Sequence, residues 1–330
     1  MLFYIARRVA FMVLTLVIIS IIAFMIIQIP PGDYLTTYIQ RLAMTGQSVQ
    51  ESQLAALRLQ YGLDLPVYRQ YFKWIFGIFR GNWGRSFQWG RPVRVLLQER
   101  LGYTLLINLS SLMFIYLVAI PIGVYSATHR YSFGDYTLSV FGFIGLATPP
   151  FLLALLIMVF LFKFAGIHVG GLVSPEFASA PFSFAKFVDI LKHLPVPIAL
   201  IGLSGTAGLI RVMRGCLLDE LKKQYVVTAR SKGVSEQKLL FRYPVRVAIN
   251  PIISTVGWLL PATISGGALV AIVLNLPTIG PLLYGSLMSQ DMFLAGSTVI
   301  ILSVLTIIGI FVSDMMLLWA DPRIRFERKG

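Results

Sequence analysis

The chain has 330 residues, of which 57% are hydrophobic and only 13% charged, and its mean hydropathy is +0.78. Its 28 Lys and Arg residues outnumber 14 Asp and Glu residues, which gives a formal net charge of +14. A soluble nucleic-acid-binding protein could be this basic but not this apolar. The single cysteine, Cys216, excludes an intrachain disulfide and offers no metal framework. The composition therefore indicates an all-α, polytopic membrane protein that binds no nucleic acid.

Six apolar segments are long enough to cross a bilayer, whose hydrocarbon core of about 30 Å requires about 20 helical residues. The first exceeds a typical signal-peptide core and is not followed by a small-residue cleavage site, so we interpret it as a retained span. The fourth is short, and its Gly and Pro residues are typical of a helix packed closely against its neighbours. The predicted spans are residues 9–29, 103–128, 136–162, 194–210, 251–273 and 296–320.

The basic residues of the loops predict that both termini are cytoplasmic, because short cytoplasmic loops carry an excess of Lys and Arg. In this orientation the cytoplasmic segments contain 16 of the 28 basic residues. The long segment 30–102 contains nine more, but long loops are translocated with little regard to charge. The predicted organisation is a tip with the first span (1–29), an external helical cap (30–102), a core transmembrane domain of five helices (103–320) and a cytoplasmic tail (321–330).

The external cap is predicted to contain two helices. A capping box at residues 48–51 precedes apolar residues at helical spacing, and Gly62 ends that helix. Pro66 opens the second helix, whose aromatic residues are of the kind that lies at the level of lipid headgroups. These are Tyr68, Tyr71, Phe72, Trp74, Phe76 and Phe79, followed by Trp83 and Trp89. The cap either only covers the outer surface or also forms a docking surface for an external partner.

The cytoplasmic segment 211–250 is predicted to form a helix–Gly–helix elbow. The first helix runs from about residue 217 to 232 and ends at Gly233 in a left-handed turn. Ser235 caps the second helix, Glu236 lies in its first turn, and Pro244 is predicted to kink it. A short, stiff elbow suits a mechanical contact. The alternative is an ordinary basic loop that fixes the topology and contacts anionic lipid.

Residues 225–236 read Tyr-Val-Val-Thr-Ala-Arg-Ser-Lys-Gly-Val-Ser-Glu, with Phe241-Arg242 and Ala248-Ile249-Asn250-Pro251 further on. This run resembles the EAA loop of ABC importer permeases, and most of all the version in the dipeptide and oligopeptide class. Matching segments extend over nearly the whole chain: 4–8, 31–33, 61–66, Gln70-Tyr71, Trp74, 81–86, Pro92-Val93, Arg100-Leu101, Thr104-Leu105 and 321–325. Together they resemble the first of the two permease subunits of such importers.

The resemblance implies a non-catalytic permease of the bacterial inner membrane that pairs with a second, homologous permease to form the solute path. It implies two ATPase subunits that bind ATP and Mg, an external substrate-binding protein, and contact with membrane lipid. No cofactor or metal is expected in the chain itself. By resemblance, the ATPase contact comprises Thr228, Ala229, Arg230, Lys232, Gly233, Ser235 and Glu236. Gly233 is the most sensitive of these, because any side chain there penalises the elbow.

The chain departs from the family pattern at several positions. Gln224 stands where an acidic residue is frequent, Ala271 where a glutamate is common, and Thr278 where a glycine is expected. These departures bear on the cargo more than on the mechanism. The predicted cargo is a di- or oligopeptide, and the alternative is an oligosaccharide, an opine-like solute or a metal complex.

Two other classes of protein fit the sequence less well. An ion-coupled secondary transporter usually carries ionisable residues in mid-membrane, but the predicted spans contain only Asp314, near a span end. A membrane-embedded enzyme needs a nucleophile pair or a metal cluster, whereas His129, His168 and His193 fall at loop edges without ligand spacing. The sequence also contains no G-x-x-x-x-G-K-[ST] phosphate loop, so the energy for transport must come from a partner.

Overall fold

The computed structural model describes residues 2–29, 39 and 65–320, and within these ranges the regular structure is helical apart from one isolated bridge between Arg85 and Pro92. The helices, numbered in chain order within these ranges, are α1 (Leu2–Gln28), α2 (Val67–Phe79), α3 (Val93–Thr128), α4 (Phe133–Ala147), α5 (Pro150–Ala165), α6 (Phe184–His193), α7 (Pro195–Leu221), α8 (Gln224–Ser231), α9 (Glu236–Arg242), α10 (Pro244–Ser254), α11 (Val256–Val273), α12 (Ile279–Met288) and α13 (Met292–Ala320). The predicted all-α class is confirmed. The predicted helix at residues 48–62 and the tail 321–330 lie outside the described residues.

Five helical segments of the described chain are long and apolar enough to cross a membrane. They are Ile5–Gln28, Val93–Thr128, Phe184–Leu221, Val256–Val273 and Met292–Met316. A sixth crossing is available if the bent pair formed by α4 and α5 counts as one span. The six predicted spans thus fall on these helices, although most helices extend beyond the predicted limits and the fifth predicted span begins within α10.

The predicted span at residues 136–162 is not one continuous helix. Helices α4 and α5 meet at an angle of 105°. Thr148 between them is extended (φ −92°, ψ 124°), and Pro149 and Pro150 follow. A proline disfavours helical geometry in the residue before it and lacks the N–H that a helix interior needs. Hydrophobicity alone cannot detect this break, because both halves are apolar.

The chain divides into two compact units, and one comprises Met1–Gly102 and Thr278–Ile307. In this unit α2 packs through Trp74 on Phe24 of α1, with ring centroids 5.6 Å apart. Gly296 of α13 permits this packing, because a Cβ atom there would lie 2.7 Å from the Trp74 ring. A second cluster joins the first turns of α3 to α12 and α13 through Val93, Leu96, Leu97, Leu282 and Leu294.

Asp291, which precedes α13, fastens the loop at residues 84–92 within the same unit. Its Oδ2 accepts hydrogen bonds from the Ser86 hydroxyl at 2.5 Å and from the Gln88 backbone N–H at 3.1 Å. Its Oδ1 accepts one from the Leu294 N–H at 3.2 Å. Asp291 and Ser86 are completely buried, and this burial raises the pKa of the Asp291 carboxyl although the hydrogen bonds oppose the shift.

The other unit comprises Tyr103–Pro277 and Ile308–Gly330, and α7 lies at its centre, packed against α4, α5, α10 and α11. The predicted close packing of this glycine-rich span is confirmed. Cβ atoms at Gly202 and Gly205 would lie 2.7 Å from Phe114 and Ile115 of α3. Helix α7 continues to Leu221, well beyond the predicted end of its span, and so leads directly into the elbow.

Candidate functional site

The predicted elbow is present, with different helix limits. One helix over residues 217–232 is wrong, because α7 ends at Leu221 and α8 begins at Gln224. Pro244 does not kink the second helix; α9 ends at Arg242 and Pro244 opens α10, in the first helical position, where its missing N–H costs nothing. The elbow therefore consists of α8, the turn at residues 232–235 and α9.

The turn has the hydrogen bonds of a Schellman motif, and Gly233 occupies its left-handed position with φ +77°. The Gly233 N–H donates to the Arg230 carbonyl at 3.0 Å, and the Val234 N–H donates to the Ala229 carbonyl at 3.4 Å. A Cβ atom on Gly233 would meet nothing within 4 Å, so the requirement for glycine comes from backbone conformation rather than from lack of space. The left-handed stop predicted at Gly233 is confirmed.

A small apolar core holds the two elbow helices together. Val226 and Ala229 of α8 and Leu239 of α9 are buried, and Val234 and Tyr243 pack against them. Because Ala229 faces this core, its side chain shapes the elbow and offers little surface. The other six residues predicted for the ATPase contact (Thr228, Arg230, Lys232, Gly233, Ser235 and Glu236) are exposed.

A bidentate ion pair bridges the turn. Arg230 donates from Nε to Glu236 Oε1 at 2.7 Å and from Nη2 to Oε2 at 3.1 Å. The pairing lowers the pKa of Glu236 and raises the pKa of Arg230, in both cases mainly through the side-chain hydrogen bond. Ser235 occupies the N-cap position of α9, as predicted, but its side chain makes no capping hydrogen bond. The ion pair therefore supplies a link across the turn that the serine does not.

Tyr225 connects the elbow to α7 through a hydrogen bond. The sequence did not predict this contact. The Tyr225 hydroxyl donates to Glu220 Oε2 at 2.6 Å. Burial, together with the adjacent Glu220 carboxylate, raises the pKa of Tyr225 to about 12.

The elbow also exposes two large apolar side chains, Val227 and Phe241, at 45% and 64% of their surface. Once the limits of α8 and α9 are known, helical periodicity places these two side chains on the outer faces of the two helices.

A buried ion pair lies in the same unit, and the sequence did not predict it. Arg214 of α7 donates from Nη2 to Oδ2 of Asp135 at 2.9 Å, and the Tyr131 N–H donates to the same oxygen at 3.0 Å. The Asp135 side chain is 4% exposed and that of Arg214 is 31% exposed. This pair fastens the first turn of α4 to α7 two turns before α7 ends. The signal available in the sequence was an acidic residue in the first turn of a helix.

An uncharged groove runs beside the α4–α5 break in this unit. It has a volume of about 250 Å³ and is lined by residues of α4, α5, α7 and α11. Ser204 and Thr263 supply hydroxyl groups, while Gly208 and Gly266 expose backbone, since a Cβ atom on either would meet nothing within 4 Å. Ala271, the departure from the family's glutamate, is buried on α11, where a carboxylate would be costly.

Among the described residues no group of three or more His, Cys, Asp or Glu side chains could hold a metal ion. His129 stacks on Tyr125 with ring centroids 4.5 Å apart, and His193 contacts the carbonyl of Asp189 at 2.8 Å. Each of these histidines thus has a structural neighbour.

Two sequence-family matches cover most of the chain. Residues 119–326 match the binding-protein-dependent transport system inner membrane component, and residues 1–108 match the N-terminal part of such membrane components. The chain belongs to this family. It is therefore a transmembrane permease subunit of a binding-protein-dependent ABC transport system in the inner membrane, and the predicted role and location are confirmed.

Similar proteins extend over the full length. The oligopeptide transport system permease protein AppB of Bacillus subtilis is 33% identical, over 98% of this chain and 99% of its own length. A putative peptide permease protein of Brucella ovis is 32% identical, over 94% and 95%. The peptidoglycan transport system permease protein YejB of Agrobacterium fabrum is 29% identical, over 99% of both chains.

A solved structure shares the fold. A chain of the MetNI methionine ABC transporter, solved in inward-facing conformations, has a TM-score of 0.55 and 15% identity, over 69% of this chain and 97% of that chain. At this identity the likeness concerns the fold alone.

Proposed function

We propose that this permease forms one half of the transmembrane path of an ATP-driven peptide importer and is coupled to its energy source through the elbow. A second, homologous permease forms the other half, and two ATPase subunits bind ATP and Mg and hydrolyse the nucleotide. Both termini and the elbow are cytoplasmic, and the segment before α3 is external. The observation that supports the coupling role is the compact elbow, which is held together by its own glycine turn and apolar core and is attached to the end of α7.

The mechanism uses α7 as the moving element. Closure of the ATPase dimer displaces α8 and α9, and the Tyr225–Glu220 hydrogen bond passes the displacement to α7. The Asp135–Arg214 pair makes the first turn of α4 follow. Since α7 is central in its unit, its shift biases the permease between inward- and outward-facing states.

Peptide is the proposed cargo because relatives named for oligopeptide, peptide and peptidoglycan transport match this chain over nearly its full length. The uncharged groove offers hydroxyl and backbone groups, which suit the amide groups of a peptide. A tripeptide loaded on the cognate binding protein should stimulate the ATPase activity of the reconstituted complex. Stimulation by maltotriose but not by any peptide would contradict the assignment of cargo.

Substitution of Gly233 tests the coupling role. A β-branched residue is strained at φ +77°, whereas asparagine tolerates the left-handed region. Gly233→Val should therefore lower uptake at least about tenfold, the factor that 1.4 kcal/mol represents, and Gly233→Asn should retain most of it. The matched control is Gly90→Val, because Gly90 also has φ +60° and open space around its Cβ position but lies outside the elbow. Normal uptake by a Gly233→Val variant that inserts into the membrane would contradict the proposed coupling role.

A further inference from the structure

Helix α2 packs one face on the end of α1. The Ser20 and Tyr71 hydroxyls are hydrogen-bonded at 2.8 Å, and Gln28 Nε2 donates to Gln70 Oε1 at 3.2 Å. Between these two contacts, Phe24 stacks on Trp74. The contacts on α1 thus occur at every fourth residue from Ser20 to Gln28, where α1 ends.

These contacts fix the depth of α2 in the membrane. The apolar segment Ile5–Gln28 has 24 residues and is about 36 Å long, slightly more than the hydrocarbon core of about 30 Å. Its last eight residues rise about 12 Å. Because α2 lies against this last part of the span, it is located where the acyl chains meet the headgroups.

The face of α2 that points away from α1 is aromatic and exposed. Tyr68, Phe72, Phe76 and Phe79 have between 50% and 81% of their surface accessible. Cations accompany this face, and no acidic residue occurs from residue 65 to residue 98, where the basic residues are Arg69, Lys73, Arg80, Arg85, Arg91 and Arg94. Aromatic rings with Lys and Arg at an interface are typical of contact with lipid headgroups. Arg91 pairs with Glu99 just beyond this region, and the positive charge that remains favours an anionic partner.

A pocket of about 410 Å³ lies at the end of α2, lined by Phe72, Lys73, Phe76, Gly77, Arg80 and Asn82. A Schellman motif builds it: the Asn82 N–H donates to the Gly77 carbonyl at 2.9 Å and the Gly81 N–H to the Ile78 carbonyl at 3.0 Å, with Gly81 at φ +78°. A Cβ on Gly77 would lie 2.8 Å from the Asn82 carbonyl oxygen, so this tight turn requires glycine.

The polar groups of the pocket are available to a ligand. Within the described part of the chain, the side chains of Lys73 and Arg80 form no ion pair. Asn82 Oδ1 accepts a hydrogen bond from the Gly84 N–H at 3.2 Å, which leaves its Nδ2 as a donor. An ammonium, a guanidinium and an amide therefore surround one pocket beside two phenylalanine rings.

We propose that this pocket binds the headgroup of an anionic phospholipid. Lys73 and Arg80 bind the phosphate through charge-assisted hydrogen bonds, and the Asn82 amide donates to a further headgroup oxygen. Phe72 and Phe76 pack against the glycerol and the first acyl carbons. The bound lipid would cover the exposed face of α2 and hold it at the membrane surface. This site is independent of the coupling role of the elbow.

Native mass spectrometry of the full-length chain in detergent tests the proposal, with phosphatidylglycerol, phosphatidylcholine and soluble glycerol 3-phosphate as probes. The wild-type chain should retain one tightly bound phosphatidylglycerol that phosphatidylcholine does not displace. The variant Lys73→Gln/Arg80→Gln should bind it at least about tenfold more weakly, because two charge-assisted contacts are lost. Both residues are exposed, so the variant should fold normally.

The matched control is Arg130→Gln/Lys163→Gln, which removes two exposed cations that also lie beside aromatic rings, those of Tyr131 and Phe164. This control should keep the tightly bound lipid. Equal loss in both double variants, equal binding of the two lipids by the wild-type chain, or competition by glycerol 3-phosphate at the same concentration would each overturn the proposal.

Discussion

At the scale of single residues, one turn recurs at the ends of several helices. Gly81, Gly233, Asn275 and Gln290 all have positive φ, and the residue after each donates a hydrogen bond five residues back. The glycine at 233 could be predicted, because glycine enters the left-handed region with the least strain of all residues. Gln290 could not, since a glutamine there costs about 1–2 kcal/mol.

The position of Gln290 makes sense beside Asp291, whose carboxylate network holds the following backbone in place. Asp291→Ala would leave the buried Ser86 hydroxyl and the Gln88 N–H without an acceptor, at about 1–3 kcal/mol for each unsatisfied group. We therefore expect a large loss of thermal stability in this variant, measured on the purified chain in detergent. Wild-type stability in Asp291→Ala would contradict the network.

The raised pKa of Asp291 adds a pH dependence with a definite sign. A carboxyl whose pKa is higher in the folded state is protonated more readily there than in the unfolded chain, so its contribution to stability falls as the pH rises from the unfolded pKa through the folded one. Asp291→Asn mimics the protonated form. The Tm of this variant relative to wild type should therefore be more favourable at pH 7 than at pH 4, and the opposite trend would show that the ionised carboxylate is the stable form.

At the scale of elements, the sequence predicts where helices exist better than where they end. Apolar length located the spans, and the helical spacing of the elbow located α8 and α9. The α4–α5 break and the end of α9 at Arg242 both lie next to prolines. A proline breaks a helix or begins one depending on where it falls relative to the helix ends, and Pro244, which was expected inside a helix, begins one instead. Tertiary contacts such as the Asp135–Arg214 pair leave no periodic signal at all.

The Asp135–Arg214 pair is expected to matter for coupling as well as for stability. Asp135→Asn removes the charge that Arg214 faces and should cost about 3 kcal/mol, the lower end for a buried pair, because the Arg214 side chain is 31% exposed. In the reconstituted complex we expect less solute transported per ATP hydrolysed. The control is Arg91→Gln, which removes one member of the exposed Arg91–Glu99 pair and should change neither quantity measurably. Identical behaviour of the two variants would remove Asp135 from the coupling path.

At the scale of the whole molecule, the basic excess divides into a topology signal and two local surfaces. One surface is the elbow, and the other is the region from residue 65 to residue 98, for which the sequence alone suggested only a cap. Helical spacing already places Lys73 and Arg80, seven residues apart, on one face at the end of α2. The proposed lipid pocket still required the structure, because the turn at Gly81 brings Asn82 back against Gly77 and completes it.

The proposed topology can be tested with single-cysteine variants in a Cys216→Ala background. Trp89→Cys lies in the exposed loop before α3. It should react with a membrane-impermeant maleimide in cells whose outer membrane has been made permeable. Lys232→Cys, in the exposed elbow turn, should react only after the membrane is permeabilised. The reverse pattern would place the termini outside.

The contact between the elbow and the ATPase is the central claim, and site-specific crosslinking measures it most directly. A benzophenone attached to Lys232→Cys in the Cys216→Ala chain should crosslink to an ATPase subunit of the assembled complex on illumination. The same label on Trp89→Cys should not. If the complex assembles and neither position yields an ATPase crosslink, or only position 89 does, the elbow is not the coupling site.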